Sequence, residues 1–531
     1  MMMSLFPSPP AMLEGREKRW LYYLLLVLNM LFNSFPFIFI FLPLVLFGYY
    51  SIAKISANPT YRLAFLAVAS LIFYSYWDIT FLPIISISIA CNYIFGLLIG
   101  NKSITDQHSK ILFIIAVLLN LAALAFYKYI NFGINILNHV AHANLQSSTV
   151  LLPLGISFFT FTQIAYLADV LSGHTSEKNL IKYTLFVTYF PHLIAGPIIH
   201  HKEMMPQFHH DKLKKINIEN IVVGLSIFVM GLFKKVIIAD GFGMIADPVF
   251  SVANHTIVLA MDAIGAALAY TLQIYFDFSG YSDMAIGLSL MFGILLPFNF
   301  NMPYKARSMI EFWQRWHITL SRFLREYLYI KLGGNRRGKI RRYMNLMITM
   351  FLGGLWHGAG WTFVVWGLLH GIYLVINHGW RHIVNTYPFL VRYTRSVIYP
   401  IFSLIVTQFF VVLAWIYFRA EHLRSADRLV KSIFTFHHAV VHARPHLITN
   451  IEFILIAFVY ILCLLMPNIK TIFGSWNVGL VTYQHQPQNN LLSLKWNMSA
   501  RWAIAIAVLF LISLLFILAA GDGSRFLYFQ F

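Results

Sequence analysis

Long runs of apolar residues, separated by shorter polar segments, fill most of this 531-residue chain. Many runs reach or approach the ~18–20 residues that a helix needs to cross a bilayer. Others are short or contain Pro and Gly, which is typical of segments that line a cavity or that enter and leave on one side. The pattern predicts an all-α polytopic integral membrane protein with roughly 11–13 spans and additional re-entrant pieces. The apolar runs lie at about 32–55, 62–80, 82–100, 111–131, 150–171, 181–199, 220–245, 256–276, 283–297, 343–360, 362–378, 397–418, 450–466 and 502–520.

The overall composition points to the same class of protein. Hydrophobic residues make up 59% of the chain and charged residues 11%, with a mean hydropathy of +0.68, whereas soluble domains average about 25% charged. A membrane β-barrel would alternate apolar and polar residues over segments of about ten, and no such alternation is visible. The two cysteines, Cys91 and Cys463, lie in separate apolar runs. They predict neither a disulfide framework nor a metal site.

The formal charge of +19 is concentrated in a few loops. On a membrane protein this pattern favours contact with anionic lipid headgroups over nucleic acid. The segment 302–343 contains eleven Lys or Arg residues against only Glu311 and Glu326. By the positive-inside rule this segment should face the cytoplasm, and 200–215 should lie on the same side.

Histidine marks one polar stretch that has helical spacing. Residues 311–332 place apolar side chains on one face and charges on the other, which predicts an amphipathic helix at the membrane interface. His317 falls at the edge of the apolar face and is directed toward the bundle. From spacing alone, it is either an interfacial hydrogen-bonding residue or a functional one.

A second histidine, His357, lies in the segment GGLWHGAGW, within a window from 344 to 376 that contains no Asp, Glu, Lys or Arg. Ionisable groups at membrane depth are costly and are often functional. Low polarity disfavours imidazolium, so the ring should be neutral and able to accept a proton as a general base. The four glycines of the segment permit close approach and argue against a straight helix. A buried structural histidine is the alternative interpretation.

Two further features are less informative. His370 follows His357 by thirteen residues, about 220° around an ideal helix, so one unbroken helix would not pair them, and His370 is expected to be structural. GGNRRGK, at 333–339, partly fits a phosphate-binding loop, but Ile340 stands where Ser or Thr would hold Mg²⁺, and no strand precedes it. A nucleotide hydrolase is therefore excluded, although a basic turn still suits phosphates of lipid or of an acyl donor.

Several segments together resemble the membrane-bound O-acyltransferases, and most closely the bacterial alginate O-acetyltransferase branch. The resemblance extends from about Met30 to Ala420, and residues 30–420 are therefore interpreted as the acyltransferase core. The branch usually has Gln and Pro where this chain has His192 and Lys331. The matching segments are LPLGISFFTF, YFPHLIAGPII, QIYFDFSGYSDMAIG, PFNFNMPY, EFWQRWHITLSRFLREYLYIKLGGNRRG, GLWHGAGWTFVVWGLLHG and WIYFRA.

The two ends of the chain are expected to lie outside this core. Residues 1–29 precede Met30, which is a plausible natural start, so they are interpreted as an N-terminal extension. Residues 421–531 are expected to form polar loops and the final transmembrane helices.

The resemblance implies a helical fold with a central tunnel, in which an acyl group passes from a cytoplasmic donor to an acceptor on the far side. The signature histidines of the family match His317 and His357, which implies that His357 is the base and His317 assists or orients. Asp277 and Asp283 are candidate supporting residues: Asp277 could orient a histidine, and Ser282 or Asp283 could cap the following helix.

The expected donor is acetyl-CoA, with no tightly bound cofactor and no metal, and Arg336, Arg337 and Lys339 are candidate ligands of its phosphates. The expected partners are membrane lipid and a periplasmic acetyltransferase or polysaccharide-modifying protein in a bacterial inner membrane. D-alanyl transfer toward teichoic acid is one alternative. A proton-coupled transporter is another, disfavoured because the predicted spans are nearly free of charged residues.

Overall fold

The computed structural model describes residues 30–56, 58–208, 217–435, 446–482 and 494–520, together with 492, 526 and 527. Regular structure in these residues is helical, and the β contact among them is an isolated parallel bridge between Pro297 and Leu480. The prediction of an all-α protein is confirmed. The interpretation of 1–29 as an extension falls outside the described residues.

The helices are named in chain order, with contiguous α- and π-helical or 3₁₀ turns taken as one element where they form a single apolar helix. They are α1 (Pro36–Ile55), α2 (Pro59–Ser75), α3 (Ile79–Ile99), α4 (Asp106–Ala141), α5 (Ile156–Leu171), α6 (Leu180–Thr188), α7 (Phe190–Leu193), α8 (His201–Phe208), α9 (Ile218–Ala253), α10 (Ala260–Met291), α11 (Met309–Arg315), α12 (Ile318–Phe323), α13 (Lys339–His357), α14 (Trp361–Thr386), α15 (Pro388–Thr394), α16 (Ile398–Arg419), α17 (Leu423–Phe434), α18 (Asn450–Leu465), α19 (Ile469–Ile472) and α20 (Ala500–Ala520).

Seven of the described helices, α1, α3, α4, α9, α14, α16 and α20, are long and apolar enough to cross a membrane. Their outer surfaces expose large apolar side chains such as Phe47, Ile114 and Leu515, which suit contact with lipid. The chain is therefore a multi-pass membrane protein. Other helices are shorter, as are α5 and α18 with 16 residues each, so the total of roughly 11–13 spans stays a prediction.

The 32-residue helix α10 lies in the centre of the bundle, and almost all of its residues are buried. Helix α9 packs along it through glycines on both helices. A Cβ at Gly231 would lie 2.6 Å from the carbonyl oxygen of Gly280, and one at Gly224 would lie 2.5 Å from that of Gly287. Since only glycine permits this approach, the small residues set the spacing of the two helices.

The continuity of α10 corrects the prediction of separate spans at 256–276 and 283–297. Gly280 does not interrupt the helix. Its role is to allow the close approach of α9. Ser282 and Asp283 consequently lie in the interior of α10, and the prediction that either residue caps a helix is wrong.

The segment 311–332 is also different from the predicted single amphipathic helix. Helix α11 ends at Arg315, His317 takes a left-handed conformation with φ 42° and ψ 55°, and α12 then continues into a π-helical turn, Leu324–Tyr329. The backbone at the break bonds to a neighbouring segment instead of to the helix. The Ile318 N–H donates to the Asn299 carbonyl at 2.9 Å, and the Arg315 carbonyl accepts from Asn301 at 2.9 Å.

The expectation that the spans are nearly free of charge is wrong for α9. Its π-helical turn, Lys234–Ala239, brings two lysines against carboxylates of α10. Lys234 pairs with Asp283 at 2.6 Å, and Lys235 pairs with Asp277 at 2.8 Å as well as with Asp240 at 2.6 Å. The pairing offsets the cost of charge at membrane depth. Charge content therefore does not distinguish a transporter from an acyltransferase.

Candidate active site

His357 is the last residue of α13 and is 4% exposed. Gly358 is extended, and α14 begins three residues later at Trp361. The α13–α14 hairpin is tight because Gly354 lies against the carbonyl of Phe363, where any side chain would clash. The glycine-rich segment therefore interrupts the helix directly after the histidine, as expected from the sequence.

Aromatic rings enclose the imidazole of His357. The ring centroids of Trp356, Trp366 and Phe418 lie 4.9, 5.0 and 5.2 Å from that of the histidine. Each of these contacts is steeply inclined, which presents ring edges to ring faces. The histidine is thus held in one orientation by packing on several sides.

His317 is fully buried at the break between α11 and α12. Its Nδ1 lies 3.0 Å from the side-chain oxygen of Asn299, which also accepts from the backbone N–H and the hydroxyl of Thr319 at 3.3 and 2.9 Å. Because a backbone N–H can only donate, the Asn299 atom must be the oxygen, and Nδ1 of His317 must carry the proton. The neutral ring then has its lone pair on Nε2.

The structure brings the two predicted histidines together. Their ring centroids are 6.4 Å apart, although forty positions separate them in the chain. This spacing puts both rings within reach of one reacting group, which is the first requirement for joint acid–base chemistry.

A cavity of about 170 Å³ reaches His357. Its wall combines apolar side chains with a few polar groups, among them Ser157 and Lys128. A concave space where apolar side chains and a few polar groups converge has the composition of a binding site, and its size suits a small chemical group more than a drug-sized ligand, whose pockets measure about 300–1,000 Å³. Further lining residues are Trp77, Leu154, Phe158, Ile194 and Trp356.

Asp277 and Asp283, the predicted supporting residues, have other partners. Both oxygens of Asp277 are engaged, one by Lys235 and the other by the backbone N–H of Leu527 at 3.1 Å. Asp283 pairs with Lys234. In the structure the two carboxylates therefore neutralise lysines of α9 and do not orient a histidine. The residue after Asp277, Phe278, does contact the His317 ring, with centroids 4.6 Å apart.

The basic segment divides into two parts with different roles. Arg315 and Arg322 are buried and pair with Glu311 at 2.8 Å and with Glu203 at 2.6 Å. The exposed cations are Arg307 and Arg325 and a group around the turn before α13, which consists of Lys331, Arg336, Arg337, Lys339 and Arg341. Because only exposed cations can meet a large soluble anion, the group around this turn is the one that matters for a phosphate-bearing ligand.

His370 lies in an aromatic layer beside Trp366. The indole N–H of Trp313 donates to Nδ1 of His370 at 3.3 Å, and the Trp366 ring lies 4.8 Å away. These contacts agree with the structural role expected for this residue. Among the described residues, no group of three His, Cys, Asp or Glu side chains is placed to hold a metal ion.

Two residues of the site, Asn299 and Lys128, were not predicted from the sequence. Asn299 lies in the PFNFNMPY segment but carried no sign that it would bind His317 from eighteen positions away. Lys128 is a lone cation inside the predicted span 111–131, and that isolation was the available signal.

We expect Asn299→Ala to lower both stability and activity. The substitution removes the acceptor of three hydrogen bonds and leaves buried donors unsatisfied, at a cost of about 1–3 kcal/mol per group. Thermal unfolding in detergent and acyl-transfer rates measure the two effects. Thr319→Val removes one of the three bonds, together with the bond that the Thr319 hydroxyl accepts from the Ile198 N–H at 3.0 Å. It keeps the His317 contact with Asn299, so it serves as the control for stability loss without loss of that contact and should lose less activity. Equal activity of parent and Asn299→Ala would contradict the orienting role.

The fold and the site define a multi-pass membrane protein with a pair of buried histidines, of which His357 lines a cavity. Residues 71–419 match the model of the MBOAT, membrane-bound O-acyltransferase family, and the chain belongs to that family. It is an O-acyltransferase, which decides against the transporter.

Within this family, the chain is similar to proteins named for the acyl group that they transfer. The chain is 42% identical over 435 residues to a peptidoglycan O-acetyltransferase of Helicobacter pylori, covering 77% of this chain and 81% of the relative. It is also 42% identical over 412 residues to the probable alginate O-acetylase AlgI of Pseudomonas aeruginosa, covering 77% and 75%. A teichoic acid D-alanyltransferase of Streptococcus thermophilus is 30% identical over 236 residues, covering 43% and 57%.

Proposed function

We propose that this protein moves an acetyl group from cytoplasmic acetyl-CoA across a bacterial inner membrane toward hydroxyl groups of an exported or cell-wall polysaccharide, through a periplasmic partner. The observation that carries the proposal is the His317–His357 pair, with His357 at the wall of a cavity. It occurs in a chain most of whose length matches relatives named O-acetyltransferase or O-acetylase.

In the proposed chemistry, a ring nitrogen of His357 takes the proton from an acceptor hydroxyl. The hydroxyl oxygen attacks the carbonyl carbon of the thioester, and the carbon–sulfur bond breaks after the tetrahedral intermediate forms. The leaving thiolate takes up the proton from the imidazolium, which restores the base. His317, with its tautomer set by Asn299, assists or orients the reacting groups.

The basic turn supplies the proposed donor site. Arg336, Arg337 and Lys339 are exposed at the start of α13, and His357 ends the same helix. The helix has 19 residues, or about 28 Å. A donor with phosphates at one end and a thioester on a long arm at the other suits this separation. The proposal places the turn on the cytoplasmic side, in agreement with its charge.

The relative named D-alanyltransferase favours one competing function, D-alanyl transfer from a loaded carrier protein. A donor assay on the purified full-length protein separates the two functions. We expect acetyl transfer from [¹⁴C]acetyl-CoA to a polysaccharide or partner acceptor in proteoliposomes, and none from a D-alanyl carrier. Activity with the carrier alone would overturn the acetyl proposal while leaving the acyltransferase class intact.

The triple substitution of Arg336, Arg337 and Lys339 by Ala should raise KM for acetyl-CoA and leave kcat unchanged. The cations would act on donor binding and lie far from the reacting atoms, so they contribute equally to ground and transition states. The KM of the parent should rise with salt, because exposed charges are screened, and that of the triple variant should rise less. Arg395→Ala, at a site outside the basic turn, is the control. An unchanged KM in the triple variant would exclude this turn as the donor site.

A further inference from the structure

Lys128 is the one Lys, Arg, Asp or Glu side chain among the residues that line the cavity at His357. It lies on α4, in the π-helical turn Ala125–Tyr129. A cation inside a spanning helix is costly unless it is paired or functional. In the described structure its hydrogen-bond partners are two backbone carbonyl groups of another helix and the Ser157 hydroxyl.

The ammonium group of Lys128 binds the end of α13. It donates to the carbonyl of Trp356 at 2.6 Å and to that of His357 at 3.2 Å, with the Ser157 hydroxyl at 3.5 Å. The neighbouring Tyr129 hydroxyl donates to the carbonyl of Leu355 at 2.6 Å. Three consecutive carbonyls at the end of α13 thus receive donors from α4.

These carbonyls need external donors. The last four carbonyl groups of a helix have no partner within it, and the helix dipole favours a cation at that end. Gly358 leaves the helix in an extended conformation, with φ −164° and ψ 152°, so the chain supplies no local cap of the left-handed glycine type.

The π-helical turn explains how adjacent residues serve one helix end. A π turn inserts an extra residue into a helix and changes the direction of the side chains around it, and such turns are frequent at functional sites. Here the turn directs both Lys128 and Tyr129 toward α13.

We propose that Lys128 is a positioning residue for His357, which holds the end of α13 so that the imidazole meets the reacting groups in the cavity. The inference rests on the proposed function, in which His357 is the base. Lys128 acts through hydrogen bonds to the backbone of the base itself. Any movement of that backbone displaces the imidazole, and misplacement by about 1 Å can reduce a rate by about 100-fold.

A positioning role and a donor-binding role predict different kinetics. If Lys128 bound the acyl donor in the ground state, its loss would raise KM for the donor and leave kcat unchanged. If it positions His357, its loss lowers kcat at unchanged KM. A purely space-filling role predicts no effect from methionine, which has a similar length and no donor.

The test uses full-length protein with Lys128→Met, Lys128→Gln and Lys128→Arg. We expect the Met variant to lose up to about 100-fold in kcat with KM for acetyl-CoA unchanged. At least one of the Gln and Arg variants, which retain N–H donors, should recover most of the loss. Lys110→Met, on the same helix but exposed, is the matched control and should behave as the parent. A parental kcat in the Met variant, a change confined to KM, or recovery by neither donor-bearing variant would overturn the inference.

Two further variants allow the inference to be tested even if Lys128→Met does not fold. If the Met variant does not fold, Tyr129→Phe removes only the hydroxyl that binds Leu355, and it should lower kcat in the same direction by a smaller factor. A parental kcat in that variant would then overturn the inference. His357→Ala, measured in the same assay, distinguishes failure of the proposed function from failure of the Lys128 inference. Full activity of His357→Ala would refute the proposed function. An inactive His357→Ala together with a parental kcat in Lys128→Met would refute only the role of Lys128.

Discussion

His357→Ala should abolish acetyl transfer while yield and membrane insertion stay close to those of the parent. Removal of a general base reduces the rate by about 10²–10⁴-fold, and the residue also lies at the cavity where the acyl groups would meet. Turnover of acetyl-CoA by purified protein in proteoliposomes measures the effect.

The control for this variant is an exposed histidine outside the candidate site. His255 lies in the turn between α9 and α10, and His255→Gln should keep the parental rate. A folded His357→Ala protein that turned over acetyl-CoA as fast as the parent would show that the base lies elsewhere.

His317→Asn should retain measurable activity, in contrast to His357→Ala. Asparagine tolerates the left-handed conformation that His317 adopts, so the break between α11 and α12 should persist. Its amide can also donate to the Asn299 oxygen in place of Nδ1. We expect kcat to fall by up to about 100-fold, the scale of a misplaced reacting group, as measured in the same turnover assay.

His317→Ala separates the backbone contribution from the side chain. Alanine in a left-handed conformation costs about 1–2 kcal/mol, so this variant should unfold at a lower temperature than His317→Asn and be less active. Complete inactivity of a stably folded His317→Asn would mean that His317 carries the proton itself. In that case its Nε2, which has the lone pair in the tautomer set by Asn299, would be the base.

The hydropathy pattern was sufficient to predict the bounds of the helices that face lipid. The run at 397–418 became α16 (Ile398–Arg419) and the run at 502–520 became α20 (Ala500–Ala520) almost unchanged, because an isolated helix in lipid must satisfy its own backbone. The same pattern did not predict where helices break inside the bundle. There Gly280 packs against α9 and leaves α10 unbroken, whereas the helix at His317 breaks because its backbone bonds to residues 299–301.

The residues of the candidate site also differ in how well the sequence predicted their roles. His317 and His357 stood out because they lie in motifs of a recognisable family, and His357 also because it lies in a charge-free window. Asp277 and Asp283 lie in an equally recognisable motif, yet they pair with lysines of α9. A motif identifies which residues recur together, but it does not say which of them touch.

By itself, the sequence determined that the chain is a multi-pass helical membrane protein and which two histidines are its chemical candidates, since hydropathy and motif are properties of neighbouring residues. Only the tertiary structure decided that the rings of these histidines lie 6.4 Å apart, with His357 at the wall of a cavity, and that Lys128 reaches the carbonyl of His357 from 229 positions away. Such contacts depend on how helices distant in the chain pack, and no local periodicity records that.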